Sequence, residues 1–216
     1  MHPLARLQRG LEELYRIATG LEINDFIVDA AGRDALAPDR RPREQLLVHE
    51  TGGELELGLF IDPGVVDTLA RHDPRAALDH RNFGEFVLAV EGVSHFVLTA
   101  WCAGRERTVT ALELELQAEV DKYVTCLLVT ASPNGPTPGT STALRRRLFH
   151  DVEWEPGLDD DERDRYRAAN DNALRYAAYL EDEFVAAGRI PDMLDELRGF
   201  YRQPLARKLA IIAQAA

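Results

Sequence analysis

The sequence predicts an α+β protein that is predominantly helical, with a small antiparallel β-sheet (about residues 23–61) packed against a helical bundle. Apolar residues recur at helical spacing along most of the chain, which indicates amphipathic helices. Strict alternation of apolar and polar residues, which indicates strands, is confined to one short stretch. The 216 residues are 45% hydrophobic and 29% charged, a composition typical of folded globular proteins rather than of disordered chains.

The first predicted elements are a helix and a strand. Leucines at every third or fourth position predict an amphipathic helix over about residues 3–19, and Gly20 is suited to end it. Residues 23–29 are rich in β-forming side chains and partly alternate, so they are predicted as a strand. Residues 37–44 carry two prolines among several charges and are predicted as a loop.

A β-hairpin gives the clearest pattern in the chain. Residues 45–50 and 54–61 are predicted as strands, because apolar side chains alternate along the second of them. The intervening Thr-Gly-Gly at 51–53 supplies the residues that a tight turn needs. Together with residues 23–29, the hairpin is expected to form a three-stranded antiparallel sheet that is half-buried beneath helices.

Three helices follow, and the last two are predicted to form a central long helical hairpin (83–130). An Asp-Pro pair supplies a capping side chain and a proline at the first helical position, which predicts a short helix over 63–71. Long amphipathic helices are predicted over about 83–103 and about 107–130. Because only a short connection joins these two helices, they are expected to pack antiparallel.

The C-terminal part of the chain is predicted to be helical. Residues 132–141 contain three prolines and two glycines and are predicted as a linker. This linker separates residues 1–131, which hold the sheet and the helical hairpin, from a helical region at 142–216. We expect the two parts to pack together as one domain. Acidic residues at 159–162 predict the start of a long helix, because they favour the positive end of the helix dipole.

The charge and composition of the chain exclude several kinds of partner. The 37 acidic and 25 basic residues give a net charge of -12, so broad binding to nucleic-acid phosphates is not expected. The sequence has no run of about 18 uninterrupted apolar residues and no secretory signal near its start, so no membrane association is expected. Two cysteines are too few for a disulfide framework, and a cytoplasmic location is predicted.

One group of side chains in the helical hairpin indicates metal chemistry. Glu91 and His95 lie four residues apart, as do Glu115 and Glu119, so each pair lies on one face of its helix. If the two helices pack antiparallel, all four side chains converge at one height. Carboxylate and imidazole groups inside a helical bundle bind divalent iron, manganese or zinc. The spacing differs, however, from the Glu-x-x-His motif of the di-iron bundles.

A purely structural role for these residues is also open. Glu119 can pair with Lys122 three positions further on, Glu115 can be solvated, and His95 can lie at the polar rim of its helix. Glu113 falls within the apolar arc of its helix, where an uncompensated carboxylate is costly. It is predicted either as a catalytic base beside the metal or as part of a structural network with an arginine or a tyrosine hydroxyl.

These observations lead to two main hypotheses about function. The first is a soluble binding or regulatory protein that acts through helical surfaces on a protein partner or on itself as a dimer. It rests on broad apolar helix faces and on the absence of glycine-rich phosphate loops and of hydrolase motifs. The alternative is a metal-dependent enzyme, hydrolytic or oxidative, that uses the four metal ligands. A third possibility is an apolar ligand pocket lined by Phe96 and Trp101.

Overall fold

A computed structural model of the chain describes residues 2–37, 41–131, 135–150, 152 and 157–215. The described residues are predominantly helical and include one two-stranded antiparallel sheet, so the predicted fold class is confirmed. The α-helices are α1 (Pro3–Tyr15), α2 (Ala30–Leu36), α3 (Pro63–Arg71), α4 (Phe83–Ala103), α5 (Ala111–Val129), α6 (Pro138–Arg145), α7 (Asp160–Leu180), α8 (Ile190–Tyr201) and α9 (Leu205–Ala215), and the strands are β1 (Glu44–Thr51) and β2 (Glu54–Ile61).

The chain divides into two units. The first comprises Met1–Glu13 and Ile17–Thr108, and the second comprises Leu14–Arg16 and Val109–Ala216. The predicted division of the chain near residues 132–141 stays a prediction, because residues 132–134 lie outside the described part of the chain. The predicted antiparallel packing of the two central helices also stays a prediction, since α4 belongs to the first unit and α5 to the second.

The predicted hairpin is confirmed as the sheet of the first unit. Strand β1 pairs with β2 in a register that runs from Glu44 opposite Ile61 to Thr51 opposite Glu54. Gly52 and Gly53 have φ angles of 62° and 86°, which is the left-handed conformation that a tight hairpin turn requires at both central positions. One face of the hairpin is mostly apolar. It presents Leu46, Val48, Leu55, Leu57, Leu59 and Ile61, together with Glu44 and Glu50.

The predicted third strand is wrong. Residues Ile23–Phe26 form a 3-10 turn, and only Ile27 makes a single parallel bridge, to Leu59. The backbone N–H of Ile23 donates to the side-chain oxygen of Gln8 at 2.9 Å and is therefore not available to a strand ladder. Of the predicted loop at 37–44, residues 38–40 lie outside the described part of the chain, and Glu44 already begins β1.

Helix α4 forms the core of the first unit. Its side chains pack against α3, β1 and β2, and its bounds agree with the predicted 83–103. By length and composition alone, α4 could cross a membrane, in contrast to the expectation from the sequence. Its apolar segment is nevertheless 78% buried inside the molecule, as in the core helix of a soluble protein.

Two helices are shorter than their sequence patterns predict. Helix α1 ends at Tyr15 rather than near residue 19, because Arg16 adopts a φ angle of 50°. Helix α5 begins at Ala111 rather than near residue 107, because the extended Thr110 acts as its cap and accepts a hydrogen bond from the Glu113 N–H at 3.2 Å. In both places a local backbone feature overrides the apolar periodicity.

The second unit is a helical bundle in which α5 packs against α6 and α7, and α7 packs against α9. Part of the predicted linker is helical, because Thr137 caps α6 and Pro138 occupies its first turn. The predicted acidic start of α7 is confirmed, since Asp159 and Glu162 form a reciprocal capping box. Two π-helical segments, Arg146–His150 and Glu181–Val185, follow α6 and α7.

Candidate metal-binding site

Three polar side chains follow one another along one side of the mostly apolar α4. Glu91, His95 and Thr99 lie at intervals of four residues, so each is one turn further along the same side of the helix. His95 is 7% exposed and Thr99 is 5% exposed. Polar groups buried to this degree destabilise the fold unless other polar groups compensate them. The stripe formed by Glu91, His95 and Thr99 is therefore a candidate functional site.

Glu91 and His95 are close enough to share one ion. A carboxylate oxygen of Glu91 and a ring nitrogen of His95 lie within 4.8 Å of each other. Oxygen and nitrogen ligands bind a transition ion at about 2 Å, so two ligand atoms on a common ion are separated by roughly 3–4 Å. A small rotation of either side chain supplies that separation. Whether Glu91 and His95 bind a metal stays a prediction.

Glu44, which the sequence analysis missed, lies beside this pair. Its Oε1 is 3.5 Å from Nδ1 of His95, and both side chains are about 90% buried, with exposed fractions of 10% and 9%. Glu44 opens β1 opposite Ile61, on the hairpin face that is otherwise apolar there. A carboxylate on the buried face of a strand is the feature of the sequence that could have identified it.

Gly92 makes the approach of Glu44 to the helix possible. A Cβ atom at position 92 would lie 2.7 Å from Cγ and 2.9 Å from Oε1 of Glu44. Both separations are shorter than real carbon contacts allow, so any other residue at position 92 would displace the carboxylate. The glycine is therefore required by this close contact rather than by its backbone conformation.

The hydroxyl of Thr99 is a polar group that could bond to a species bound beside His95. Among the described residues, no hydrogen-bond partner faces the buried Oγ1 of Thr99. Leaving such a group unsatisfied costs roughly 1–3 kcal/mol. Because Thr99 lies one helical turn from His95, it is a donor that a species bound near the imidazole can use.

Protein-family models, curated proteins and solved structures give no match to this chain.

The other two predicted metal ligands belong to α5 in the second unit. Glu115 is buried, rather than solvated as the structural alternative proposed. Glu119 accepts a hydrogen bond from Lys122 Nζ at 2.6 Å, which is the pairing that the structural alternative predicts. Whether Glu115 and Glu119 bind a metal stays a prediction.

Glu113, the predicted catalytic carboxylate, lies in a buried ion pair of the second unit. Its Oε1 is 3.6 Å from Nζ of Lys208, and Lys208 is fully buried. The same Nζ donates to Oε1 of Gln117 at 2.8 Å. The predicted structural role of Glu113 was a polar network with an arginine or a tyrosine hydroxyl as its partner. The lysine was missed because it lies on the last helix, far away in the sequence.

The network extends from Gln117 to a tyrosine on the short N-terminal segment of the second unit. The Gln117 amide donates to Asp121 at 2.8 Å and to the Tyr15 hydroxyl at 3.2 Å, and that hydroxyl also donates to Asp121. Burial, reinforced by the neighbouring carboxylate of Asp121, raises the pKa of Tyr15 well above its ordinary value. These contacts satisfy buried groups, and they identify no place for a substrate.

A second polar network of this unit surrounds Glu181. Arg145 donates two hydrogen bonds to its carboxylate, at 3.1 and 3.0 Å, and Thr142 donates one at 2.9 Å. Burial opposes the ionisation of Glu181, but the bonds from Arg145, Ser141 and Thr142 outweigh it and lower the pKa of the carboxyl. This network joins α6 to the π-helical segment after α7, so we assign it to structure.

Proposed function

We propose that the protein is a metal-dependent enzyme that holds a divalent transition ion beside α4. The observation that carries the proposal is the proximity of Glu91 and His95, whose ligand atoms lie within 4.8 Å of each other on a buried helix. An imidazole nitrogen together with a carboxylate oxygen suits zinc, manganese or iron. Carboxylate and imidazole groups on bundle helices are a known means of holding such ions.

The residues around the ion would have different roles. Glu91 and His95 bind it, and the Thr99 hydroxyl offers a hydrogen bond to a water molecule or a substrate atom beside it. A bound ion of this kind polarises a substrate or lowers the pKa of a water molecule, which gives hydrolytic or oxidative chemistry. The burial of this stripe strengthens each of these electrostatic contacts, because little water screens them.

Metal content is the first measurement. Protein purified without chelator is analysed for zinc, manganese and iron, and the metal-free protein is then titrated with each ion by calorimetry. We expect one ion per chain in the wild type and at least a tenfold weaker affinity in His95→Ala and in Glu91→Ala. His49→Ala is the matched control, because His49 lies exposed on β1 and binds only a neighbouring threonine in the described contacts.

The same titration tests the two remaining predicted ligands. If Glu115 and Glu119 bind the ion, the Glu115→Ala and Glu119→Ala variants lose affinity as His95→Ala does. If the ion pair with Lys122 is the whole role of Glu119, Glu119→Ala keeps the affinity of the wild type. A wild-type protein that takes up no ion, or a His95→Ala variant that binds as well as the wild type, would refute the proposed function.

Self-association is a second candidate function, and exposed apolar side chains favour it. Val48 and Leu55 are 51% and 38% exposed and lie on the same face of the hairpin. Within the described residues, β1 pairs with β2 alone, so the outer edge of β1 is a surface to which another strand can add. The sequence analysis proposed helical surfaces for this role, whereas the exposed apolar residues here lie on the sheet.

Light scattering coupled to size exclusion measures this association. We expect the wild type to elute as a dimer and Val48→Lys to elute as a monomer, because a buried lysine would disrupt an apolar contact. Glu56→Lys introduces the same residue on the opposite face of the hairpin and serves as the control. A monomeric wild type at all accessible concentrations would eliminate this candidate.

A cytoplasmic location completes the proposal. Both cysteines, Cys102 and Cys126, are buried and are not joined in a disulfide. Free thiols persist in a reducing compartment, which supports this location.

A further inference from the structure

We infer that Glu44 is a positioning residue of the metal site, which holds the proton of the His95 imidazole on Nδ1 and thereby assigns Nε2 to the ion. The assignment of Nε2 rests on the proposed function, since it names the nitrogen that the ion would use. The position of the proton on His95 is a property of the metal-free protein, and it can be measured whether or not a metal binds.

The location of Glu44 is unusual for a carboxylate. Its cross-strand partner is the buried Ile61, and its own side chain is only 10% exposed. Burying a carboxylate costs several kcal/mol unless hydrogen bonds or opposite charges compensate it. The ring nitrogen Nδ1 of His95 lies 3.5 Å from Oε1 of Glu44, which is an electrostatic contact longer than a normal hydrogen bond. A small rotation of either side chain would bring the two atoms within hydrogen-bond distance and provide this compensation.

The hairpin holds this carboxylate in a fixed place. Glu44 is the first residue of β1, and its position in the ladder opposite Ile61 is secured by a hydrogen bond from the Asp62 N–H to the Arg43 carbonyl at 2.8 Å. On the helix side, the absence of a Cβ at Gly92 leaves room for the carboxylate. A rigid strand and a glycine on the facing helix together aim Glu44 at one edge of the imidazole.

The chemistry of imidazole gives this contact its consequence. A neutral histidine has one ring nitrogen that donates and one that accepts, and the hydrogen bond at one nitrogen decides which nitrogen can bind a metal. A carboxylate can only accept, so a carboxylate beside Nδ1 keeps the proton there. The lone pair of Nε2 is then directed to the ion. Histidines that bind metals are commonly oriented by a carboxylate in this way, and loss of that carboxylate weakens metal binding by about 10–100-fold.

Nitrogen NMR of histidine-labelled, metal-free protein tests the inference. The protein has six histidines, and the His95 signals are identified by their loss in His95→Ala. At about pH 8.5, where histidine is ordinarily neutral, we expect the wild-type proton on Nδ1. Glu44→Ala should give a mixture of the two tautomers, while Glu44→Gln, whose amide oxygen can still accept, should keep the proton on Nδ1.

Gly92→Ala provides an independent variant in which both partners remain. Its methyl group displaces the Glu44 carboxylate, so the tautomer of His95 should shift as in Glu44→Ala. Glu50→Gln is the matched control, because Glu50 lies on the same strand and the same face but is exposed, and it should leave the tautomer unchanged. Far-UV circular dichroism checks that each variant is folded. If a variant is unfolded, the tautomer of His95 in the wild-type protein decides the test by itself.

Zinc titration of the same proteins separates the two proposals. We expect Glu44→Ala and Gly92→Ala to bind Zn²⁺ about 10–100-fold more weakly than the wild type, with Glu44→Gln between them and the wild type. A wild-type His95 protonated on Nε2 or on both nitrogens would overturn the positioning role, whatever the zinc result. So would a tautomer that is the same in Glu44→Ala and Gly92→Ala as in the wild type. If the tautomer behaves as expected but no zinc binds, only the proposed function fails.

Discussion

At the scale of single residues, Lys208 shows how a buried charge is accommodated in the second unit. Its ammonium group lies 3.6 Å from the Glu113 carboxylate and 2.8 Å from the Gln117 oxygen. The aromatic faces of Phe200 and Tyr201 lie 5.4 and 5.7 Å away, close enough for a cation–π attraction. The carboxylate and the aromatic faces favour the charged form of the lysine, and the Gln117 oxygen accepts one of its hydrogens.

Replacing Glu113 by glutamine should therefore destabilise the protein strongly. The substitution keeps the shape of the side chain but removes the Glu113 carboxylate charge beside the buried Lys208 ammonium, and breaking a buried ion pair in this way typically costs about 3–5 kcal/mol. Urea denaturation measures the change in the free energy of unfolding. The control is Asp195→Asn, which breaks an exposed ion pair with Arg198 and should cost less than about 1 kcal/mol. A Glu113→Gln variant as stable as this control would contradict the assigned structural role.

At the scale of secondary-structure elements, the ends of the helices follow local chemistry that can be seen in the sequence. The predicted bounds of α3 and α4 agree with the structure, and α3 begins where Asp62 accepts from the Gly64 N–H at 2.8 Å. Helix α2, capped by Asp29, was not predicted because its seven residues are too few to establish a helical period. The predicted strand at 23–29 failed because the backbone of Ile23 bonds to Gln8, a contact between separate elements.

The capping box of α7 gives a prediction at this scale. Asp159 accepts from the Glu162 N–H at 2.7 Å, and Glu162 accepts from the Asp159 N–H at 3.1 Å. Asp159→Ala removes the cap and should lower the free energy of unfolding by about 1 kcal/mol. Asp160→Ala is the control, because Asp160 is 96% exposed and caps nothing. Equal thermal midpoints for the two variants would show that the cap contributes no stability.

At the scale of the whole molecule, buried thiol and phenol groups make the free energy of unfolding depend on pH in the alkaline range. Burial raises the pKa of the Cys126 thiol from 9.0 to about 12. It also raises the pKa of the Tyr123 phenol from 10.0 to about 12, partly offset by the hydrogen bond between Tyr123 and Ser141. Above about pH 9 the folded chain therefore holds more protons than the unfolded chain, and stability must fall as the pH rises.

Urea denaturation between about pH 8 and pH 11 measures this loss. The free energy of unfolding should be nearly constant up to about pH 9 and should then fall with a slope that approaches ~1.4 kcal/mol per pH unit for each group that titrates only in the unfolded chain. Cys126→Ala should reduce the fall between pH 9 and pH 10, where the thiol of the unfolded chain loses its proton. A wild-type stability that rises over this range would contradict the raised pKa values.

The sequence by itself determined the helical class, the hairpin with its two glycines, and the helix starts that a cap marks, because each depends on residues only a few positions apart. It also placed Glu91 and His95 close together, because they are neighbours on one helix, and their role as metal ligands stays a prediction. The tertiary structure alone placed Glu44 beside His95 and Lys208 beside Gln117. Lys208 and Gln117 are 91 positions apart in the sequence. No periodic pattern encodes such contacts, because they arise only when separate elements pack and buried charges must find partners.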